Sequence, residues 1–222
     1  VAHIKRDECP DELRDDIFDG REVIEWHRIK DFQLISLKLL AEQLLLGCPA
    51  YTSERLPLYV PDELARQRLS FPSAISLYAS PNNPGAAAVA ARLRDGMASS
   101  LGVTEIPAPE GGDSRPPGAT HMLLYLCHET YLGEEGKALA EELRRARQAG
   151  FPIVMLHEND MENGGCEFGR FFETTPQDLI SGGLYKALAL AAYPGAFWPV
   201  SVALVAQALG ATRTRSGGFV PG

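Results

Sequence analysis

The chain has 222 residues, of which 45% are hydrophobic and 23% charged, a composition typical of one globular domain with an appendage. Its formal charge of −8 excludes nucleic acid as the principal partner, because nucleic-acid binding requires clustered Lys and Arg. No apolar stretch reaches the roughly 18 to 20 residues of a transmembrane helix, so we expect no membrane insertion by this segment.

The cysteines and the chain ends indicate the setting of the protein. Four cysteines lie far apart and form no CxxC motif: Cys9, Cys48, Cys127 and Cys166. Isolated cysteines of this kind are typical of a reducing compartment, and we expect a cytoplasmic location. The chain starts at Val1 rather than Met and ends in the turn-rich sequence RTRSGGFVPG, so we expect it to be part of a longer protein.

The N-terminal segment 1–50 is predicted to be a linker followed by an apolar helix. The acidic first 19 residues favour a linker or a short helix. Between 21 and 46, Ile and Leu recur near helical spacing until Gly47 ends the run. This helix is too apolar to be free in solvent, so it either packs on the following domain or contacts a partner. We interpret residues 51–72 as a Pro-rich tether with one helical turn at 61–68.

Residues 73–212 have the pattern of an α/β domain, followed by a flexible tail at 213–222. Five short apolar runs alternate with helical patterns, at 74–79, 103–106, 121–127, 151–157 and 186–192. Continuous apolar strands separated by helices predict a parallel sheet covered on both faces. With right-handed crossovers, the strand order is 2-1-3-4-5, which is a flavodoxin-like, doubly wound α/β fold.

Turn-forming residues mark the ends of the predicted helices. Asn83 is a candidate N-cap for the first helix, and Gly133 precedes a long helix that ends at Gly150. Thr175 is a candidate N-cap for a short helix that stops at 182–183, and a last helix covers about 199–209. The sequence at 108–119 predicts an irregular loop.

Ligands of such sheets bind where the strand order reverses, here between strands one and three. The loops at that point are SPNNPG at 80–85 and HETYLGEE at 128–135. The candidate ligand-binding residues are Tyr78, Ser80, Asn82, Asn83, Gly85, His128 and Tyr131. Backbone N–H groups at the start of the first helix suit a phosphate. Tyr78 either stacks on a ligand ring or packs on its sheet face, and His128 is either an acid/base group or a structural residue.

The sequence resembles a Toll/interleukin-1 receptor (TIR) domain over residues 74 to 210. The resemblance rests on the strand ISLYAS with its Pro- and Gly-containing loop, the segment LLYLCHETYLGEEGKALAEEL, and the strand FPIVMLHEND. In that family a hydrophobic third strand leads through a short loop to a helix with a Glu-Leu pair, which here is Glu142-Leu143. The resemblance places SPNNPG at the position of the family's BB loop, an element that gates ligands and mediates assembly.

The resemblance implies a catalytic glutamate. Many TIR domains hydrolyse NAD with the glutamate of this pair, so Glu142 is the candidate and Glu141 is its neighbour. A carboxylate near the anomeric carbon would stabilise the oxocarbenium-like ribose that forms as the glycosidic bond breaks. Alternatively, Glu142 is a solvated residue paired with Arg145, on a helix whose basic cluster (144–147) faces solvent.

Three functions follow from these features. The frequent Trp-Cys of the family is absent before Glu142, which favours a TIR-like signalling module that self-associates or binds other TIR-like domains. The first alternative is an NAD hydrolase, in which NAD is substrate and no cofactor is covalently bound. The second is an enzyme similar to nucleoside deoxyribosyltransferases, which also takes a nucleotide-like ligand. A binding module needs no carboxylate in the crevice, so the direction of Glu141 and Glu142 separates these alternatives.

Other catalytic patterns are absent from the sequence. GxGxxG, GxxxxGK[ST], GxSxG and HExxH do not occur, so no motif indicates a dehydrogenase, a P-loop NTPase, an α/β-hydrolase or a zincin. The segment 157–179 is rich in acidic residues, with His157 and Cys166 among them. This set fits neither a calcium loop nor a structural zinc site, so we predict a structured loop and no metal.

Overall fold

The structure is a computed structural model that describes residues 9–18, 23–51, 56, 58–60, 69–97, 101–104 and 115–213. The chain divides into two compact units, 1–61 and 62–222, which are treated separately below. The predicted helical turn at 61–68, most of the predicted loop at 108–119 and the tail after 213 lie outside the described residues. No helix in the described part is long and apolar enough to cross a membrane.

The first unit contains two described helices, α1 (Asp11–Phe18) and α2 (Lys30–Leu46). Helix α1 confirms the short-helix alternative for the acidic segment. Helix α2 ends before Gly47, as predicted, but it begins at Lys30 rather than near residue 21. The described residues before it, 23–29, are not helical, and the Ser36 hydroxyl donates a hydrogen bond of 2.6 Å to the carbonyl of Glu25. That bond holds the non-helical segment beside the helix.

The second unit is built on a five-stranded parallel sheet. Its strands are β1 (Ile75–Ala79), β2 (Leu101–Thr104), β3 (His121–Leu126), β4 (Ile153–Glu158) and β5 (Leu190–Ala192). Their order is β2-β1-β3-β4-β5, and each neighbouring pair is parallel. This confirms the flavodoxin-like α/β fold and the order 2-1-3-4-5. The carboxyl ends of β1 and β3 therefore lie side by side at the switch point.

All five strands differ from their predicted boundaries, but β1, β3 and β4 by only one or two residues at either end. Strand β2 begins at Leu101, earlier than predicted, and its end beyond Thr104 lies outside the described residues. Strand β5 is confined to Leu190–Ala192, because the 3₁₀ turn Leu184–Lys186 includes the first residue of the run KALALAA and Leu188 is exposed. An apolar run at the edge of a sheet need not be strand throughout, since only one side has a pairing partner.

Helices cover both faces of the sheet. They are α3 (Ala86–Gly96), α4 (Gly133–Gln148), α5 (Arg170–Thr174), α6 (Gln177–Ser181) and α7 (Trp198–Ala208). Residues of α3 and α7 share one core cluster, and residues of α4, α5 and α6 share the other. Helix α5 was not predicted. A short antiparallel pair, Leu69–Ser70 with Thr212–Arg213, joins the two ends of this unit.

Alternation along the strands decides which side chains meet which helices. Leu77 and Tyr125 lie in the core with α3, whereas Tyr78 and Leu124 lie in the core with α4. Successive residues of a strand point to opposite faces, so Tyr78 is directed toward α4 by its place in β1.

The turn between β1 and α3 depends on Gly85. Its φ is +77°, in the left-handed region, and a Cβ atom there would lie 2.8 Å from Cε1 of Tyr125. The tyrosine ring thus occupies the space that any side chain would need. Gly118 has nearly the same φ, +79°, but open space around it.

We expect Gly85→Ala to lower the free energy of unfolding more than Gly118→Ala. Both substitutions place alanine in the left-handed region, which costs about 1–2 kcal/mol. Only the first also crowds Tyr125, which adds about 1–3 kcal/mol. Urea unfolding of both variants measures the difference. Equal losses would contradict the close packing of Tyr125 on Gly85.

Candidate functional site

Glu142 is a buried carboxylate on α4, with only 7% of the residue exposed. It lies on the face of the helix that also buries Leu139, Leu143 and Ala146, the spacing that directs a helix face into the core. A carboxylate in such a place is costly unless hydrogen bonds satisfy it.

Three side chains from β1 and the following loop donate to Glu142. The Tyr78 hydroxyl and the Asn82 amide each lie 3.3 Å from Oε1. The Ser80 hydroxyl donates to Oε2. We call Glu142 with Tyr78, Ser80 and Asn82 the Glu142 cluster. It joins four of the predicted site residues at the carboxyl end of β1.

Glu141 points the other way. Its side chain is 62% exposed and accepts a hydrogen bond of 2.7 Å from Arg144. Of the two candidate glutamates, Glu142 alone is directed at the loop 80–85. The alternative that Glu142 is a solvated partner of Arg145 is wrong, because Glu142 is buried and bonded to the loop side chains instead.

The basic cluster of α4 is not a free solvated face. Arg144 makes a two-pronged contact with Asp178 of α6, at 2.7 and 2.8 Å, and its bond to Asp178 holds the pKa of that carboxyl below its usual range. Arg147 donates to the carbonyls of Leu179 and Gly182 at the end of α6. These exposed contacts add little stability, but they fix the rotation of α4 that turns Glu142 inward.

Asn83 does not cap α3. The helix is preceded by Gly85 and has no side-chain cap, so the predicted N-cap is wrong. Instead the Asn83 amide donates to the Tyr125 carbonyl, and its oxygen accepts from the Tyr125 N–H, each at 2.8 Å. The side chain is engaged by β3 rather than aimed at a ligand space.

Gly85 and His128 line a separate pocket of about 250 Å³ on the α3 side of the sheet. Its wall also includes Val89, Arg92, Tyr125 and Cys127, and none of the Glu142 cluster. His128 is half-exposed, with Nδ1 3.1 Å from the carbonyl of Gly164. Five of the predicted ligand-binding residues therefore divide between two places: Tyr78, Ser80 and Asn82 belong to the Glu142 cluster, and Gly85 and His128 line this pocket.

A second buried carboxylate, Glu158, lies at the end of β4. It accepts a hydrogen bond of 2.7 Å from the Tyr125 hydroxyl and one of 2.9 Å from the N–H of Asp160. Burial, together with the bond to Glu158, raises the pKa of Tyr125 well above its ordinary value, so this hydroxyl acts as a neutral donor. Our sequence reasoning missed this pair. The available signal was an acidic residue at the carboxyl end of a buried strand.

Tyr131 joins neither place. It has a φ of +70° and packs in the core on the α4 side, where burial raises its pKa. The Thr175 and Tyr185 side chains lie close enough to its hydroxyl to influence that pKa.

The segment after β4 is structured, as predicted. His157 Nε2 lies 2.8 Å from the carbonyl of Cys166, and the ring meets Phe168 and Phe171 edge-on. Burial lowers the pKa of His157. Within the described ranges, no group of three or more His, Cys, Asp or Glu side chains is placed to hold a metal ion.

Comparison of the chain with protein-family models, with curated proteins and with solved structures found no match.

His157 should make the domain less stable in mild acid. Because its pKa is lower in the folded state than the ordinary 6.5, the unfolded chain takes up the proton first as the pH falls. The free energy of unfolding should fall below about pH 6.5, by at most about 1.4 kcal/mol per pH unit from this group. Urea unfolding between about pH 7 and 5 should show a shallower dependence in His157→Gln. An unchanged dependence would contradict this role.

Proposed function

We propose that this chain cleaves the N-ribosyl bond of a nucleotide, with NAD as the candidate substrate and Glu142 as the catalytic carboxylate. The observation that carries the proposal is the direction of the two glutamates. Glu142 is buried against the carboxyl end of β1, while Glu141 is exposed and bound to Arg144. A module that only binds partners has no need for a buried carboxylate at the switch point.

The chemistry requires one negative charge in the right place. When the bond between the ribose C1′ and the nicotinamide nitrogen breaks, its electron pair goes to the nitrogen and nicotinamide leaves neutral. The ribose becomes an oxocarbenium ion, which water attacks at C1′ with loss of a proton to solvent. A fixed carboxylate beside C1′ stabilises this cation more strongly in a site of low dielectric than in water.

The donors around Glu142 suit a sugar ligand. They satisfy the carboxylate, whose oxygens would otherwise lack partners. The ribose hydroxyl groups offer the same kind of donor. Asn82 is partly exposed, whereas Tyr78 and Ser80 are buried, so Asn82 is the donor that a substrate replaces most easily.

The resemblance to TIR domains supports NAD as substrate, since it places Glu142 at the family's Glu-Leu pair. A deoxyribosyltransferase-like activity would use the same carboxylate on a 2′-deoxynucleoside. Nicotinamide release from NAD and base release from deoxyadenosine, measured on the same preparation, distinguish the two substrates.

We expect Glu142→Gln to reduce nicotinamide release by at least about 100-fold, because it removes the charge that stabilises the transition state. Gln retains the shape and one accepting oxygen, and its NH₂ group can donate to the Ser80 hydroxyl oxygen, so the variant should stay folded. Release is followed with the purified chain at high concentration, with thermal unfolding of each variant recorded in parallel.

Glu141→Gln is the matched control on the same helix. Its side chain is exposed, so nicotinamide release should stay within about twofold of the native rate. Equal losses in both variants would contradict the assignment of Glu142. No release by the native chain in any assembled form would refute the NAD hydrolase itself.

A second proposed function is assembly, which the sequence favoured. Helix α2 exposes Leu37, Leu40 and Leu44 at spacings that place them on one face. A row of this kind is self-complementary when two copies meet about a two-fold axis, so we take the partner to be a second copy of this chain.

Replacing Leu37, Leu40 and Leu44 together with Ser should weaken self-association by about tenfold or more, because the exposed apolar area would be lost. Sedimentation velocity over a concentration series measures the change. Gln43→Ser, at an exposed polar position of the same helix, is the control and should associate like the native chain. A native chain that stays monomeric throughout would exclude this role for α2.

A further inference from the structure

The loop 80–85 contains two adjacent asparagines with opposite directions. Asn82 places its amide 3.3 Å from Glu142 Oε1. Asn83 is 2% exposed and directs both ends of its carboxamide at the main chain of Tyr125. Only the first of them touches the carboxylate.

The Asn83 side chain completes the edge of β3. Strand β1 pairs with β3 up to Ala79 opposite Leu123, and then turns away into the loop. Strand β3 continues, so the N–H of Tyr125 needs a partner beyond that point, and its carbonyl, which also accepts from the Thr130 hydroxyl at 3.0 Å, can accept a second bond. The Asn83 amide supplies a donor and an acceptor at 2.8 Å each, as the next residue of a neighbouring strand would.

The same residue is tied to the loop that serves Glu142. The Asn83 N–H donates to the Ser80 carbonyl at 3.0 Å, and the Asn82 N–H donates to the Ser80 hydroxyl oxygen at 3.1 Å. Asn83, whose side chain is bonded to β3, therefore holds the loop residues that donate to Glu142 in position above the end of β1.

We propose that Asn83 is a positioning residue of the Glu142 cluster. It acts through Ser80 and Asn82, which it fixes against Glu142, and it touches neither the carboxylate nor the substrate. The inference rests on the proposed N-ribosyl cleavage for its kinetic consequence. Its structural part stands on the contacts between Asn83, Tyr125 and Ser80.

The hydrogen bonds at position 83 favour asparagine over aspartate and over alanine. Aspartate would place a second oxygen against the Tyr125 carbonyl, where the native residue has an N–H. Alanine would leave both main-chain groups of Tyr125 without this partner. Either change releases the loop while leaving Glu142 intact.

The test is a double-mutant cycle on nicotinamide release from NAD. Asn83→Ala should lower kcat by about 10- to 100-fold, since small displacements of a reacting geometry have effects of this size. In a background that already carries Ser80→Ala and Asn82→Ala, the same substitution should lower kcat by less than about twofold, because its intermediaries are gone. A full additional loss in that background would overturn the proposal.

Asn159→Ala is the matched control. Its amide also donates to a main-chain carbonyl, that of His157 at 2.9 Å, at the end of a different strand. It removes a similar bond without touching the loop 80–85, so kcat should remain within about twofold of the native value. An equal loss of kcat in the two variants would reduce Asn83 to a general stabilising residue and overturn the proposal.

Hydrogen exchange separates this inference from the proposed function. In Asn83→Ala, the backbone amides of residues 80–85 should exchange at least about tenfold faster than in the native chain and in Asn159→Ala. If the native chain releases no nicotinamide, the proposed function fails, and faster exchange would still support the positioning role of Asn83. Unchanged exchange in this loop would overturn that role, whatever the activity.

Discussion

Buried polar groups at the carboxyl ends of β1 and β3 need hydrogen-bond partners, and this requirement organises this part of the domain. Strand β1 leaves the sheet after Ala79, while β3 runs on and α4 brings a carboxylate to the same place. Unpaired polar groups in a buried position are costly, so the loop 80–85 must satisfy both. It does so with side chains of opposite direction, Asn83 toward β3 and Ser80 toward α4.

Helix α4 is oriented by contacts on both of its sides. On its inner side, Glu142 accepts hydrogen bonds from the loop 80–85, and on its outer side Arg144 donates hydrogen bonds to Asp178 of α6. The outer contact is exposed and adds little stability by itself. It nonetheless opposes rotation of the helix about its axis. The orientation of the helix about that axis determines why Glu141 is exposed while Glu142 is buried.

The sheet could be predicted from the sequence because the apolar runs that indicate its strands are local features of the chain. Continuous apolar runs gave β1, β3 and β4 and their order, and glycines gave the end of α4. The site was harder, because its decisive contacts are distant in sequence: Asn83 and Tyr125 are separated by 42 positions. Likewise, the run EELRRAR allows either glutamate to face inward, and the tertiary contacts of α4, with Leu139 and Leu143 in the core and Arg144 bonded to Asp178, select Glu142.

Tyr125 supports both faces of the sheet at once. Its main chain bonds to Asn83, which belongs to the loop over Glu142, and its hydroxyl donates to Glu158. Tyr125 is thus bonded to the loop that donates to one buried carboxylate, Glu142, and directly to the other, Glu158. Removing its hydroxyl would therefore deprive Glu158 of one donor while leaving the main-chain bonds to Asn83 in place.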